Sequence, residues 1–321
     1  MNNLYIKSPL NYIGGKHKIL PQIIPLFPKD INCFVDMFAG GANVGLNISA
    51  KKVILNDNLT HLIDLYKKLQ KTPLNKILWH IQQRISEYNL SLKNQEGYIK
   101  FRKFYNETKD PLDLFVLISY SFNHQIRFNN NHEFNNPFGK ERSCFNASIE
   151  ANLKAFITKL QKSDIELYSQ NFEDIDLSSL SDNDFVYCDP PYLITTSTYN
   201  DGKRGFTGWS VKEENLLLNK LDKLNDKGVK FALSNVLKHK GKTNDLLEKW
   251  VSDNADYVVN TIKMDYANSN YQTKNRDKLA TVEVLITNYI SQNTIPAYQQ
   301  LPLIPTQRDF NEIYWQQKKL A

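Results

Sequence analysis

The chain is poor in cysteine: Cys33, Cys144 and Cys188 are the only three in 321 residues, far apart and odd in number. That count excludes a disulfide framework and fits reduced thiols in a cytoplasmic protein. The six histidines (His17, His61, His80, His124, His132, His239) form neither a His-x-x-x-His pair nor a Cys/His set. No metal site is therefore expected. No run approaches the ~20 apolar residues that span a bilayer. Met1 to Leu10 lacks an apolar stretch followed by small cleavage-site residues, so secretion is not expected either. Charge of one sign is scarce too, since 40 Lys+Arg against 34 Asp+Glu leave only +6. That excess permits a polyanionic partner without announcing one. With 12 glycines and 12 prolines the chain is not fibrous. Its 41% hydrophobic and 12% aromatic residues can bury a core, and 23% charged residues are too few for a disordered chain.

What is present has an order. Asn32 to Met37 is a short apolar run broken by Phe38-Ala39-Gly40-Gly41. Val44 to Ala50 then reads as helix-like, and Lys52 to Leu55 as a strand ending at Asn56-Asp57-Asn58. Strand, glycine turn, helix and acid-tipped strand make a βαβ unit of an α/β fold. Helical patterning resumes over Leu59–Leu69. It continues with apolar residues at 3–4 spacing at Ile77, Leu78, Ile81 and Ile85, and at Leu114, Leu117 and Ile118. Asn123 to Asn136, crowded with Asn, His and Phe, reads as an exposed, hydrogen-bond-rich loop inserted in the fold. After a helix over Ile149–Leu160, strands are expected at Ile165–Tyr168, Asp184–Cys188, Lys230–Ser234, Tyr257–Ile262 and Val282–Thr287. Helices are expected between them at Val211–Leu224 and Asn244–Asp253. Residues 291–321, rich in Gln and with three prolines, read as a loosely attached tail.

The most specific motif is Asp189-Pro190-Pro191-Tyr192, directly after the strand Asp184–Cys188. Two prolines with fixed φ and no N–H make a stiff turn leaving the carboxyl end of a strand, where ligands of open α/β sheets collect. A carboxylate, backbone carbonyls and an aromatic face suit the hydrogens and ring of an exocyclic amine. Accepting both N–H groups with Asp189 and the Pro190 carbonyl would turn the nitrogen toward tetrahedral geometry and restore a directed lone pair. Tyr192 would stack on the base, worth about 1–3 kcal/mol. A plain strand-ending turn remains the alternative for the tetrapeptide alone. The glycines of Asn11-Tyr12-Ile13-Gly14-Gly15-Lys16 and Asp36-Met37-Phe38-Ala39-Gly40-Gly41 allow close backbone approach to a ligand, and Asp57 is placed for ribose hydroxyls. Neither cluster fits a phosphate-cradling pattern. A nucleoside ligand without phosphates fits better, with S-adenosylmethionine foremost.

The order of NYIGGK, FVDMFAGG, ILND and YCDPPY resembles that of the Dam-type (D12 class, α group) DNA adenine-N6 methyltransferases, over about Ser8 to Asn288. The resemblance implies a Rossmann-like S-adenosylmethionine-dependent methyltransferase sheet with an inserted, mainly helical target-recognition domain. Residues 1–60 and 146–290 would form the catalytic domain and 61–145 the recognition domain. It implies cofactor contacts for Tyr12, Lys16, Phe38, Gly40, Asp57, Phe172 and Asp189, with Asp189, Pro190 and Tyr192 at the transfer centre. On the DNA side it points to Arg127 as a guanine reader, to Asn123, Asn135 and Lys140 beside it, and to Lys274 and Arg276 in a loop closing over the backbone.

Two departures stand out. The family's F-x-G-x-G turn here reads Phe38-Ala39-Gly40-Gly41-Ala42, with one glycine displaced. His124 and Gln125 replace smaller or apolar residues of Dam itself, which leaves the target sequence open. Cys188 follows no proline, so covalent cytosine-C5 chemistry is excluded, and it reads as a small buried residue. The resulting expectation is a site-specific enzyme that flips adenine from double-stranded DNA. A restriction–modification, phage or solitary setting is left open, the first of these with a cognate endonuclease not physically associated. The enzyme would be a monomer or weak dimer, cytoplasmic and at the nucleoid when DNA-bound. Methylation of another planar amine (cytosine N4, RNA adenine, a glutamine side chain) and a non-catalytic DNA-binding relative are the rivals. The basic excess is expected on one face, around Asn123–Lys140 and Lys274–Lys278, with Asp57 and Asp189 the acids of the cleft.

Overall fold

The runs Cys33-Phe34-Val35-Asp36 and Phe185-Val186-Tyr187-Cys188 are buried at every position, as strands covered on both faces must be. They are β1 and β4 of the structure, a computed structural model that describes residues 5–12, 14–195, 208–263 and 281–291. The other strands are β2 (Lys52–Asn56), β3 (Ile165–Tyr168), β5 (Lys230–His239), β6 (Lys242–Thr243), β7 (Val258–Ile262) and β8 (Thr281–Thr287). They form one sheet in the order β3-β2-β1-β4-β5-β8-β7, with β6 paired to the end of β5. Strands β1 to β5 run parallel, while β8 lies antiparallel between β5 and β7. The order reverses between β1 and β4, which opens a crevice outside their carboxyl ends.

Alternate residues of each strand enter opposite apolar layers. Phe34, Val53, Phe185, Tyr187 and Leu285 join one cluster. Val35, Val186, Cys188, Val284 and Ile286 join the other, beneath the helices Val211–Asp226 and Asp245–Ser252. The first layer continues without a break into the chain between β2 and β3. With the short helix Leu20–Ile23 ahead of β1 counted as α1, that stretch holds α2 (Thr60–Lys71), α3 (Leu74–Glu87), α4 (Gln95–Thr108), α5 (Pro111–Tyr120) and α6 (Ala147–Lys162), and α7 and α8 are the two helices named above. Helix α5 is buried all round from Leu112 to Tyr120, the mark of a helix enclosed by neighbours. Its one buried acid, Asp113, accepts at Oδ1 from His80 Nε2 (2.7 Å) and Arg84 Nε (2.8 Å) of α3. A carboxylate with no exposure is tolerable only when so paired.

Two expectations change. Val44–Ala50 is a series of turns, not a helix. Asn43 and Asn47 turn their amides outward to the N-terminal segment: Asn43 Oδ1 accepts from Ser8 N (3.0 Å), and Asn47 accepts from Ile6 N (2.7 Å) and donates to Ile6 O (2.8 Å). Asn47 Nδ2 also donates to Asn43 O (2.7 Å), the carbonyl that a helix would pair with Asn47 N, which bonds Val44 O instead (2.9 Å). Such local side-chain bonds compete with helical backbone pairing, and Gly45 has little helix propensity. The Asn-rich segment is also not simply exposed, since Phe128, Phe134 and Asn136 are buried. Strand and helix expectations elsewhere fall within a few residues of the observed elements, with β5 extending five residues beyond Ser234.

Candidate active site

The glycine turn after β1 is held from three sides. Tyr66 of α2 donates its hydroxyl to Gly40 O (2.7 Å), Asp57 at the end of β2 accepts Gly40 N (2.9 Å), and Ala39 N bonds Asn56 O (2.7 Å). Gly40 has φ +47°, and a Cβ there would lie 2.9 Å from the Tyr12 ring, so only glycine lets Tyr12 cover the turn. The displaced glycine leaves Ala42 at φ +55°. Asn11, Tyr12 and Gly14 to Lys16 are thus strapped over the crevice, and Tyr12, Phe38, Gly40 and Asp57 line it together.

The tetrapeptide follows β4 into the same crevice. Lys16 Nζ lies 2.9 Å from Asp189 Oδ1 and 3.6 Å from Glu283 Oε1 of β8. The Tyr192 hydroxyl lies 3.0 Å from Asp189 Oδ1 and 3.2 Å from Glu283 Oε1. Burial raises the carboxyls of both Asp189 and Glu283 above the ordinary carboxylate range, against the Lys16 ammonium that lowers them. Lys16 thus pairs with the acid of the tetrapeptide and also lines the cleft. Glu283 was missed. Its one sequence signal is an acid in the apolar run Thr281-Val282-Glu283-Val284-Leu285.

Lys16, Asp189 and Tyr192 border a cavity of about 520 Å³ lined also by Asp36, Asn56, Phe172, Pro190 and Trp209, within the range of small-ligand sites. Phe38, Phe172 and Trp209 pack together with centroids 5.3–5.7 Å apart. Trp209 is fixed by its Nε1 donating to the buried Glu214 (2.5 Å). The sequence reading expected Asp57 and Asp189 as the acids of the cleft; Asp36, at the tip of β1, Glu173 and Glu213 line it as well, and Glu283 stands behind. Asp36 is pushed up to about 8, first by burial and then by the Asp189 and Asp57 charges, against hydrogen bonds from Gly45 and Phe38. Its Oδ1 is buried without a hydrogen-bond partner among the described residues. Acids, an orphaned acceptor and an aromatic cluster suit a positively charged nucleoside. They do not suit a polyphosphate.

The expected DNA contacts are distributed unevenly. Arg127, Asn123 and Lys140 are exposed. Asn135 is half-buried and its Oδ1 has no partner among the described residues. Their loop is a folded turn: Phe128 bridges Phe134 in antiparallel fashion, and Asn129 Oδ1 caps Asn131 N (3.0 Å) and Glu133 N (2.9 Å). Asn136 donates to Phe122 O (3.0 Å) and Gln125 O (2.9 Å). Asn11 Nδ2 donates to Asn123 O (2.8 Å), which joins this loop to the strap over the cleft. Between Asn123 and Lys140 two basic residues face one acid, Glu133, so the expected concentration of charge is slight there. Lys274 and Arg276 lie outside the described residues, as does the tail from residue 292.

Residues 12–268 match the family model described as D12 class N6 adenine-specific DNA methyltransferase. The chain is 51% identical over 287 residues to Type II methyltransferase M.FokI of Planomicrobium okeanokoites, which covers 89% of this chain and 43% of that protein. It is 52% identical over 285 residues to Modification methylase StsI of Streptococcus sanguinis, with the same coverage. It is 31% identical over 195 residues to the DNA adenine methylase of Escherichia coli K12, covering 60% of this chain and 66% of that one. The chain thus spans less than half the length of the first two relatives. With its tetrapeptide at the switch point of a mostly parallel sheet and the match running through both, the chain belongs to the D12 class N6 adenine-specific DNA methyltransferase family.

Proposed function

We propose that the chain transfers a methyl group from S-adenosylmethionine to the N6 amine of adenine in double-stranded DNA. The observation that carries this reading is the placement of Asp189-Pro190-Pro191-Tyr192 at the carboxyl end of β4, beside an acid-lined cleft under Tyr12. Asp189 would accept one hydrogen of the amine and the Pro190 carbonyl the other, directing the nitrogen lone pair toward the cleft. Tyr192, with its hydroxyl tied to the carboxylates, would present its ring edge and face to the base. The three aromatic rings would hold the donor's adenine, Asp57 its ribose, and Asp36 would favour its positive charge. When bound, that donor supplies an electrophilic methyl group on a sulfonium. The target base must leave the duplex, since its amine is engaged in pairing; flipping costs a few kcal/mol, offset by stacking and hydrogen bonds in the pocket.

Residues 61–145 would form the recognition domain, with Arg127 reading guanine and Asn123, Asn135 and Lys140 supporting it. The names of the relatives support a modification role beside a cognate endonuclease. Asp189→Ala is expected to keep duplex binding and to abolish transfer of labelled methyl groups to unmethylated DNA. Near-normal turnover in that variant would overturn the mechanism. Mapping N6-methyladenine in DNA from cells expressing the chain is expected to show one recurring motif.

A further inference from the structure

Glu283 stands behind the cleft, 3% exposed on β8. Its cross-strand partners, Val236 of β5 and Ile262 of β7, are apolar and offer its charge nothing. The charged and titratable groups that face it are Lys16 from the strap, Asp189 and Tyr192 from the tetrapeptide, and Tyr187 of β4. Asp189, at 2.9 Å, already matches the charge of Lys16. A second buried carboxylate brings these groups to a net −1, and a buried charge of that kind costs several kcal/mol unless something is gained from it. What the second acid adds is capacity for one proton. The Tyr192 hydroxyl connects the two carboxylates at 3.0 and 3.2 Å, a phenol between two acceptors.

Methylation of an amine makes that capacity useful. The nitrogen–carbon bond forms, the carbon–sulfur bond breaks with its electron pair left on sulfur, and the nitrogen holds one proton too many. We propose that Glu283 is the terminal acceptor of that proton and a positioning residue for Asp189. This inference rests on the function proposed above. Asp189 takes the proton from the amine; Tyr192 takes it from Asp189 while handing its own hydroxyl proton to Glu283. No other co-reactant is needed, and release from Glu283 resets the cluster. Burial raises the Glu283 carboxyl above the usual range, which favours its holding a proton for a time. The relay also requires Glu283 to start ionised, so the rate should fall as pH drops through that raised value.

The test uses the 321-residue chain, labelled S-adenosylmethionine and unmethylated mixed-sequence duplex DNA. In E283Q the amide still bonds Tyr192 but cannot take a proton. Single-turnover transfer is expected to fall about ten-fold or more and, while keeping the limb that Asp189 ionisation sets, to lose the Glu283 limb from the acid side of the wild-type pH profile, with donor affinity little changed. E283D should retain that limb. Y192F, which breaks the connection, should lose it as E283Q does. A readout independent of turnover is infrared titration of the chain labelled with ¹³C-carboxyl glutamate. Among the glutamates titrating above the ordinary value, which include Glu214 and Glu248, one signal present in the wild type should be absent in E283Q. An E283Q profile of unchanged shape, at whatever rate, or no such glutamate signal, would overturn the relay. A wild-type chain that methylates no adenine would instead overturn the function beneath it.

Discussion

At Gly40 a backbone requirement and a packing requirement coincide. Its φ of +47° costs a residue with a side chain about 1–2 kcal/mol, and a Cβ would press on the Tyr12 ring at 2.9 Å. Gly40→Ala is therefore expected to weaken donor binding roughly ten-fold, as a cost of about 1.4 kcal/mol would, which isothermal titration can measure. Asp36 makes a prediction of opposite character. Its carboxyl, pushed up to about 8, keeps in the folded chain a proton that the unfolded chain releases near the ordinary value. The ligand-free protein should thus lose stability as pH rises from about 4 to 8, and Asp36→Asn should flatten that fall in thermal melts. A cation bound beside Asp36 favours the ionised form. Donor affinity should therefore increase as pH rises toward 8 and level off above it, with proton release visible in buffers of different ionisation enthalpy. An affinity independent of pH would remove Asp36 from the donor site.

At the scale of elements, the segment from Asn123 to Lys140 is ordered by side chains bonded to backbone. Asn106 brackets Phe134 with both amide atoms, to Phe134 N (2.8 Å) and Phe134 O (3.1 Å), and Asn136 fastens the turn before it. Asn136→Ala is expected to cost about 1–3 kcal/mol, the usual penalty for stranding buried polar groups. Faster hydrogen exchange should then be confined to residues 121–139, with DNA affinity reduced. Arg127→Ala should instead leave stability unchanged and relax discrimination at one base pair by about 1–3 kcal/mol. Composition hid this distinction. Asparagines that cap turns and asparagines that face solvent look alike until the chain is folded. The failed helix at Val44–Ala50 has the same origin, since the partners of Asn43 and Asn47 lie 35 and 41 residues away.

For the molecule as a whole, the sheet brings together groups that the chain scatters. Tyr12, Asp36, Asp57, Asp189 and Glu283 meet because β1 and β4 are neighbours at the reversal of strand order and β8 lies beyond β5. A helical insertion that shares one apolar cluster with the sheet should unfold with it. A single calorimetric transition is expected for the chain, and two separated transitions would show an independent recognition unit. The small net charge of +6 and the near balance of the Asn123–Lys140 loop point to few phosphate contacts. The dependence of DNA affinity on salt should accordingly be shallow, with a slope smaller in magnitude than about 5 for fewer than about six contacts.

The sequence by itself determined the family and the local chemistry. Glycine turns, a proline-stiffened acidic tetrapeptide and an acid-tipped strand are short motifs whose meaning lies in backbone constraints carried by neighbouring residues. Their order along the chain did the rest. Tertiary structure alone decided the electrostatics: that Lys16 answers Asp189, that Asp36 stays protonated near neutrality, and that Glu283 joins them from a strand 94 residues after Asp189. Burial and distance set those properties, and neither is written in the residues that flank a charge.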